Sequence, residues 1–329
     1  MINIKEKLDL FGNQLNTKID INRETLADAL EKCLMNKSVG EMIGLLTTDY
    51  DCIFEYLNLY KGKRNMCNRM SLLFNPHRLY TNAKNMKTIF EAMKNKKWYS
   101  GLARLALSEF NGNGSTTFFH LLNMGIEATR FIEEFPPHIS RMYAKQYGVT
   151  INSFVLDPCA GWGGRMIGIS TICNNYQAYE PCTQTYNGLL KLSDFITKLR
   201  PEFKSNIKCL PFENALLPKN KFDFAITSPP YYDTELYSNE ETQSYKKFNT
   251  FEKWIIGFYE PLIAKTMNAL KPNASFILNI GSRKYPLEKE LEKIIKKHNY
   301  KLQQIASPLS GKGGLRKAEG AEAFYRITK

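Results

Sequence analysis

Three short segments hold the residue types that could carry chemistry, and each falls at the end of an apolar run. The first is AITSPPYYD (225–233). Its consecutive prolines, Pro229 and Pro230, stiffen the loop and offer carbonyls with no N–H donor. Ser228 adds a hydroxyl acceptor and Tyr231 a flat aromatic face. Such a set accepts hydrogen bonds from an exocyclic amino group while stacking on its ring, which requires a base that is accessible or flipped out of a duplex. The second is FVLDPCAGWGGRMIGIS (154–170), where an apolar strand runs to Asp157 and Pro158, a turn carries Gly161, Gly163 and Gly164, and a helix follows. Glycines there permit positive φ and close approach of backbone to a ligand, and the helix start supplies free N–H groups. Turns of this kind also serve structure alone, and with no G-K-[ST] following, this is not a P-loop. The third is AYEP (178–181). Glu180, 19 residues after Gly161, ends the next strand, where a carboxylate can accept both hydroxyls of a ribose, so the pair of segments suits a nucleoside cofactor.

The elements that must position these groups follow from periodicity. Beyond about residue 150, short apolar runs at 153–158, 177–181, 206–211, 222–228 and 275–281 read as strands, with helical stretches at 164–174, 183–199, 251–270 and 286–298 between them. Alternating strands and helices imply a parallel sheet covered on both faces. The last two runs, 301–307 and 322–328, have no helix between them and predict an antiparallel hairpin at the sheet edge. Before residue 150 the pattern is mainly helical: 22–36 behind an N-cap Asn22, then 40–60, 83–94 and 98–110, a turn at 110–115, and a helix over 134–148 opened by Pro136 and Pro137. The expected division is a helical region, 1–130, and a sheet-bearing region, 131–329.

Composition narrows the partner. The 329 residues carry 45 Lys+Arg against 32 Asp+Glu, a formal net charge of +13, which favours a polyanion, nucleic acid before a membrane surface. Segment 61–104 holds 11 cations against the single anion Glu91, with Tyr80, Trp98 and Tyr99 interleaved. That mixture suits phosphate binding with stacking groups, Lys94, Lys96 and Lys97 foremost; a solvated helical face is the plainer alternative. The polar stretch 232–250 follows the Ser-Pro-Pro-Tyr turn directly, and Tyr237 and Tyr245 are its candidate stacking residues. The Gly/Lys-rich tip 310–320, with Lys312 and Arg316, is expected near a substrate backbone. No run of 18 apolar residues predicts a membrane span, and the first residues lack a secretory core, so a cytoplasmic protein is expected, in host cytoplasm if viral. Seven cysteines and four scattered histidines show no metal-ligand spacing, so neither a metal nor a disulfide framework is expected.

DPCAGWGG, then YEP, then TSPPY, in that order, resemble the S-adenosylmethionine-dependent amino-methyltransferases of DNA, and the phrases DPCAGWGGR and SPPYYD are similar to methylases of phages and large viruses. The likeness covers about 153–329, with EFPPHISRMYAKQYG resembling the element that precedes the cofactor motif. It implies the class I, Rossmann-like methyltransferase fold with an antiparallel final strand, S-adenosylmethionine as cofactor and DNA as partner. By the same likeness, Asp157, Gly161 and Gly163 line the methionine and ribose side, with Cys159 inside that turn. Glu180 holds the ribose hydroxyls, Phe212 and Glu213 flank the adenine, Phe135 closes the pocket, and Ser228, Pro229, Pro230 and Tyr231 hold the target base. GWGGR departs from the commoner G-S-G-T, and Arg165 is read either as a helix-surface cation or as a phosphate contact.

An exocyclic amine needs no covalent nucleophile. Accepting its N–H groups at Ser228 Oγ and the Pro229 carbonyl would aim its lone pair at the sulfonium methyl, the rest being proximity and preorganisation. Methylation at cytosine C5 would need an attacking cysteine, and Cys159 and Cys182 sit in or beside the cofactor turns and read as structural. Serine ahead of the prolines leans to cytosine N4 over adenine N6. Methylation of an RNA base such as guanine N2, and a non-catalytic binding subunit of the same fold, are the alternatives.

Overall fold

In the computed structural model, residues 49–64, 67–83, 134–281, 284–306 and 322–329 are described. Two compact units divide the chain: Met1–Asp49 with Pro76–Glu133, and Tyr50–Asn75 with Glu134–Lys329. Of the first, only Asp49 and 76–83 are described; Pro76–Tyr80 forms a 3-10 turn whose Arg78, counted above among the surface cations, is buried.

The second unit is built on seven strands: β1 Phe154–Asp157, β2 Asn175–Tyr179, β3 Lys204–Lys208, β4 Phe222–Thr227, β5 Leu270–Ile280, β6 Lys301–Ile305 and β7 Ala323–Thr328. They lie in the order β3-β2-β1-β4-β5-β7-β6. The first five are parallel, and β7 runs antiparallel to both neighbours. This strand order with its one reversed strand is the class I methyltransferase sheet. The expected terminal hairpin forms, with β6 as the edge and β7 inside. Strands β2 and β3 begin two residues earlier than their apolar content suggested, because backbone register pairs Phe154 with Asn175 and Asn175 with Lys204 regardless of side chain.

Helices α1 Asp49–Tyr60, α2 Asn68–Phe74, α3 Pro137–Gln146, α4 Gly164–Ser170 and α5 Thr183–Leu199 share one core with Val155, Phe224, Ile226 and Ile277. Leu156, Ala225, Phe276 and Leu278, their alternating neighbours, face a second core with α6 Glu260–Ala269 and α7 Leu287–Lys297. Helix α6 is preceded by a short helix, Phe251–Trp254, and a π turn, Ile255–Tyr259. There Gly257 lies so close to the Phe248 ring that a Cβ would fall 2.2 Å from it.

Residues 50–75 belong to the same compact unit as the sheet. Cys52, Tyr56 and Leu59, at helical spacing on α1, are buried together with Cys67 and Met70. Tyr56 Oη lies 3.0 Å from Ser170 Oγ of α4. Asn75 Nδ2 donates to the Trp162 carbonyl at 3.0 Å, and a Cβ on Gly188 of α5 would come within 2.6 Å of the Phe74 carbonyl.

Candidate active site

The turn after β1 is organised around a buried ion pair. Asp157 is fully buried. Its Oδ2 accepts from Arg165 Nε at 2.7 Å and from the Tyr176 hydroxyl at 2.7 Å; its Oδ1 accepts from the Thr227 hydroxyl at 2.9 Å and the Cys159 N–H at 3.2 Å. Arg165 is therefore neither a surface cation nor a phosphate contact. It is 4% exposed, also donates to the Cys159 carbonyl, and lies 5.0 Å over the Phe135 ring. The residue eight positions after Asp157 on a helix reaches back across the turn, and desolvation of either charge alone would be severe. Burial and the Asp157 charge hold the Cys159 thiol well above its usual range, so it stays protonated.

The glycines of this turn differ in what requires them. Gly163, at φ 96°, points where a Cβ would fall 2.5 Å from Leu192, and a Cβ on Gly164 would meet the Phe135 carbonyl at 2.1 Å. Both are required by packing. Gly161, at φ 56°, has only an Arg165 nitrogen within 4 Å of such an atom, at 3.8 Å. Glu134, from the segment before α3, accepts the Gly164 N–H at 3.0 Å and the Ser71 hydroxyl at 2.6 Å, so it caps α4 and ties α2 to the turn.

Glu180 stands just past β2. Its Oε2 accepts the Gly161 N–H at 3.1 Å and its Oε1 the Cys182 N–H at 2.9 Å. Burial pushes its carboxyl up to about 7, against the lowering pull of those two N–H groups. After β3, Phe212 is buried edge-on to Tyr179. Glu213 pairs through Oε1 with Lys247 at 2.9 Å, and its Oε2 is buried with no hydrogen-bond partner among the described residues. Phe135 packs on Phe324 and under Arg165.

Ser228, Pro229, Pro230 and Tyr231 follow β4, beside β1, where the chain switches from one half of the sheet to the other. Thr227 links the two strand ends, since its hydroxyl donates to Asp157 and its Oγ1 accepts the Cys159 N–H at 3.2 Å. Ser228 Oγ lies 3.2 Å from Asn279 Oδ1 and 3.4 Å from the Tyr231 hydroxyl. Tyr232 has a positive φ of 57°, uncommon for a bulky residue, and its ring is walled by Phe251, Trp254 and Tyr285. Consecutive tyrosines thus occupy unlike places, one at the serine and one in an aromatic cage.

The stretch beyond Tyr232 is bonded down across the other strand ends. Glu240 accepts from the Thr183 N–H at 2.9 Å, the Thr242 hydroxyl donates to the Pro181 carbonyl at 3.1 Å, and Lys247 holds Glu213. Tyr237 sits edge-on to Trp162 with centroids 5.8 Å apart and donates to Glu235, whose carboxyl burial pushes up to about 7. The Tyr245 hydroxyl reaches the Ser238 carbonyl at 3.5 Å. The remaining expected nucleic-acid contacts, Lys94, Lys96, Lys97, Lys312 and Arg316, lie outside the described residues. Among the described residues no cluster could hold a metal ion and no helix is long and apolar enough to cross a membrane.

Thr227, Asn279, Tyr176 and Glu134 are site residues the sequence did not single out. No local motif marks them, and the three that touch Asp157 or Ser228 have partners 19 to 70 positions away.

No family model and no curated protein matches the chain. Among solved structures it is similar to an S-adenosylmethionine-dependent methyltransferase from Clostridium acetobutylicum ATCC 824, with 11% identity, 64% of this chain and 98% of that one covered, and a TM-score of 0.43. It is also similar to an rRNA methylase from Streptococcus thermophilus (14% identity, 60% and 98% covered, TM-score 0.39). A third is the tRNA (m1A58) methyltransferase TrmI from Aquifex aeolicus (15% identity, 60% and 71% covered, TM-score 0.38). Strand order and direction, rather than these overlaps, define the fold.

Proposed function

We propose that this chain transfers a methyl group from S-adenosylmethionine to an exocyclic amino group of a DNA base, cytosine N4 ahead of adenine N6. The observation that carries the reading is the joining of the two strand ends at the sheet's switch point, where ligands of such sheets collect. Through Thr227, the Gly-rich turn after β1 and the Ser-Pro-Pro-Tyr turn after β4 share one hydrogen-bonded anchor, Asp157.

The residues present fit the cofactor. Glu213 Oε2 is a buried acceptor lacking a donor, as an adenine amino group would supply. Each Glu180 oxygen has accepted one N–H and keeps a lone pair for a ribose hydroxyl. Gly161 presents its backbone with an Arg165 nitrogen, at 3.8 Å, the one atom within 4 Å of where a Cβ would stand. Phe135 and Phe212 are walls, and Asp157, its oxygens already taken by protein donors, shapes the turn. When bound, the cofactor supplies an electrophilic methyl on a sulfonium.

The protein's own work is to hold the amine. Ser228 Oγ and the Pro229 carbonyl accept its N–H groups, Tyr231 packs on the ring, and the nitrogen keeps its lone pair for the methyl and then sheds one proton. In the proposal, Lys94, Lys96 and Lys97, and separately Lys312 and Arg316, hold nucleic-acid backbone, and Tyr237 is a stacking residue, in a cytoplasmic enzyme.

The test is transfer of labelled methyl from S-adenosylmethionine to duplex DNA, single-stranded DNA and RNA, followed by mass spectrometry of the nucleosides. N4-methylcytosine in DNA is expected, lost in Ser228→Ala. A label confined to RNA, or one untouched by Ser228→Ala combined with Tyr231→Ala, overturns the reading.

A further inference from the structure

Asn279 is placed to control the hydroxyl hydrogen of Ser228. It lies near the end of β5, whose Leu278 pairs with Thr227 of β4, and it is 3% exposed. Its Nδ2 donates to the Ala323 carbonyl of β7 at 3.2 Å. That contact fixes which way the amide faces, since an amide oxygen there would oppose a carbonyl. The Oδ1 is thereby turned to the end of β4, 3.2 Å from Ser228 Oγ and 3.5 Å from the Tyr231 hydroxyl. An amide oxygen only accepts, and it has room for two donors.

A serine hydroxyl has one hydrogen and two lone pairs. With the hydrogen committed to Asn279, what remains towards the pocket is acceptor alone. Tyr231 does not reverse this: burial and the neighbouring Glu322 carboxylate hold its hydroxyl well above the usual tyrosine range, so it stays protonated. The Glu235 carboxylate also raises the Tyr231 hydroxyl. Among the described residues, the side chains bonded to the serine hydroxyl are thus an acceptor and a protonated hydroxyl.

Building on the amino-methyltransferase reading, we propose that Asn279 is a positioning residue that makes Ser228 an acceptor-only group, so that the site takes a base edge presenting N–H and rejects one presenting C=O. The pairs it would separate are cytosine from uracil and adenine from a 6-oxopurine. Without the Asn279 amide, the serine hydrogen is free to rotate and donate to a carbonyl, and the preference should collapse while the sheet stands.

The experiment uses the full chain and two fluorescein-labelled single strands, (dC)12 and (dU)12, in equilibrium binding by anisotropy at fixed salt, so that the phosphate contribution cancels in the ratio. Wild type is expected to bind the cytosine strand roughly tenfold more tightly, the low end of what one well-placed base contact contributes. Asn279→Ala should bring the ratio close to one without weakening cofactor affinity. Asn279→Asp, which in its neutral form keeps both the donor to Ala323 and the acceptor to Ser228, should restore it. A wild type without preference overturns the inference, as does a preference intact in Asn279→Ala or one that Asn279→Asp fails to recover. If Asn279→Ala does not fold, Ser228→Ala decides, because the preference must vanish there too. Labelled-methyl transfer is followed in parallel. Its absence alongside an intact preference overturns the transferase reading, whereas transfer without preference overturns only the role of Asn279.

Discussion

The two strand ends that meet at the switch point are built on opposite plans. The end of β1 is closed: Asp157 has four donors, Arg165 fills the space behind it, and two of its three glycines are dictated by neighbouring side chains and backbone. The end of β4 is open-handed: a serine with spare lone pairs, a proline carbonyl, and a tyrosine whose hydroxyl meets the buried Asn279 amide and Glu322. Substitution at the first should therefore be read in stability and at the second in chemistry, although Thr227 ties them within one hydrogen-bond network.

The sharpest way to break that contrast is Arg165→Met. It strands the Asp157 charge, and removing one partner of a buried pair costs about 3–5 kcal/mol. Urea denaturation should show the loss, and Asp157→Asn added to Arg165→Met should recover part of it; a stable single variant would mean that the turn does not depend on the pair. Ser228→Ala is the counterpart. Its melting should stay within about 0.5 kcal/mol of wild type, as for a substitution away from the packed core, while methyl transfer falls roughly 10²-fold, the scale of losing one preorganised polar contact.

Between these lie the glycines. Gly163→Ala should cost about 1–3 kcal/mol through overpacking against Leu192. Gly161→Ala should cost about 1–2 kcal/mol from its left-handed backbone, with a larger effect on cofactor affinity, measured by calorimetry. Equal affinity losses in both variants would erase the distinction between packing and ligand glycines.

The smallest effect is a pH dependence. The Glu180 carboxyl is raised from 4.5 to about 7, so the folded chain holds a proton the unfolded chain has released. Its contribution to stability is full below about 4.5 and declines as pH rises through about 7. Affinity for the cofactor should move the other way, improving between pH 6 and 8 as the carboxylate becomes able to accept two ribose hydroxyls. Glu180→Gln should flatten that slope. Glu235, raised to a similar range, is left in place by the substitution, so a slope that survives belongs elsewhere.

What was legible beforehand follows the same divide. Strand ends carrying Gly-rich, acidic or Pro-Pro signals are local, and the parallel sheet follows from alternating elements. Helix α5 was read to the residue because its apolar stripe is regular. Helix α2 was hidden inside a cation-rich segment, and its seven residues are too few for periodicity to show; what holds it is Asn75 on Trp162 and Ser71 on Glu134, contacts spanning 87 and 63 positions. Arg165 misled for a related reason. A charge at the start of a helix looks solvent-bound until its partner across the turn is known to be buried. Asn279 reads as one more polar residue in an apolar strand, and only the neighbouring strand end gives it a purpose.

The positive φ of Tyr232 has a thermal consequence. A bulky residue held there carries of order 1–3 kcal/mol of strain, and the restraint comes from three rings on two separate pieces of chain: Phe251 and Trp254 on one, Tyr285 on the other. Two of these belong to the short helix leading into the π turn, a segment of irregular hydrogen bonding. Loosening that helix would let the backbone at Tyr232 relax and swing Ser228, four positions earlier, off its aim, with the seven strands undisturbed. Warming should therefore silence the proposed methyl transfer some degrees before the sheet melts, a gap visible as inactivation preceding loss of far-ultraviolet ellipticity.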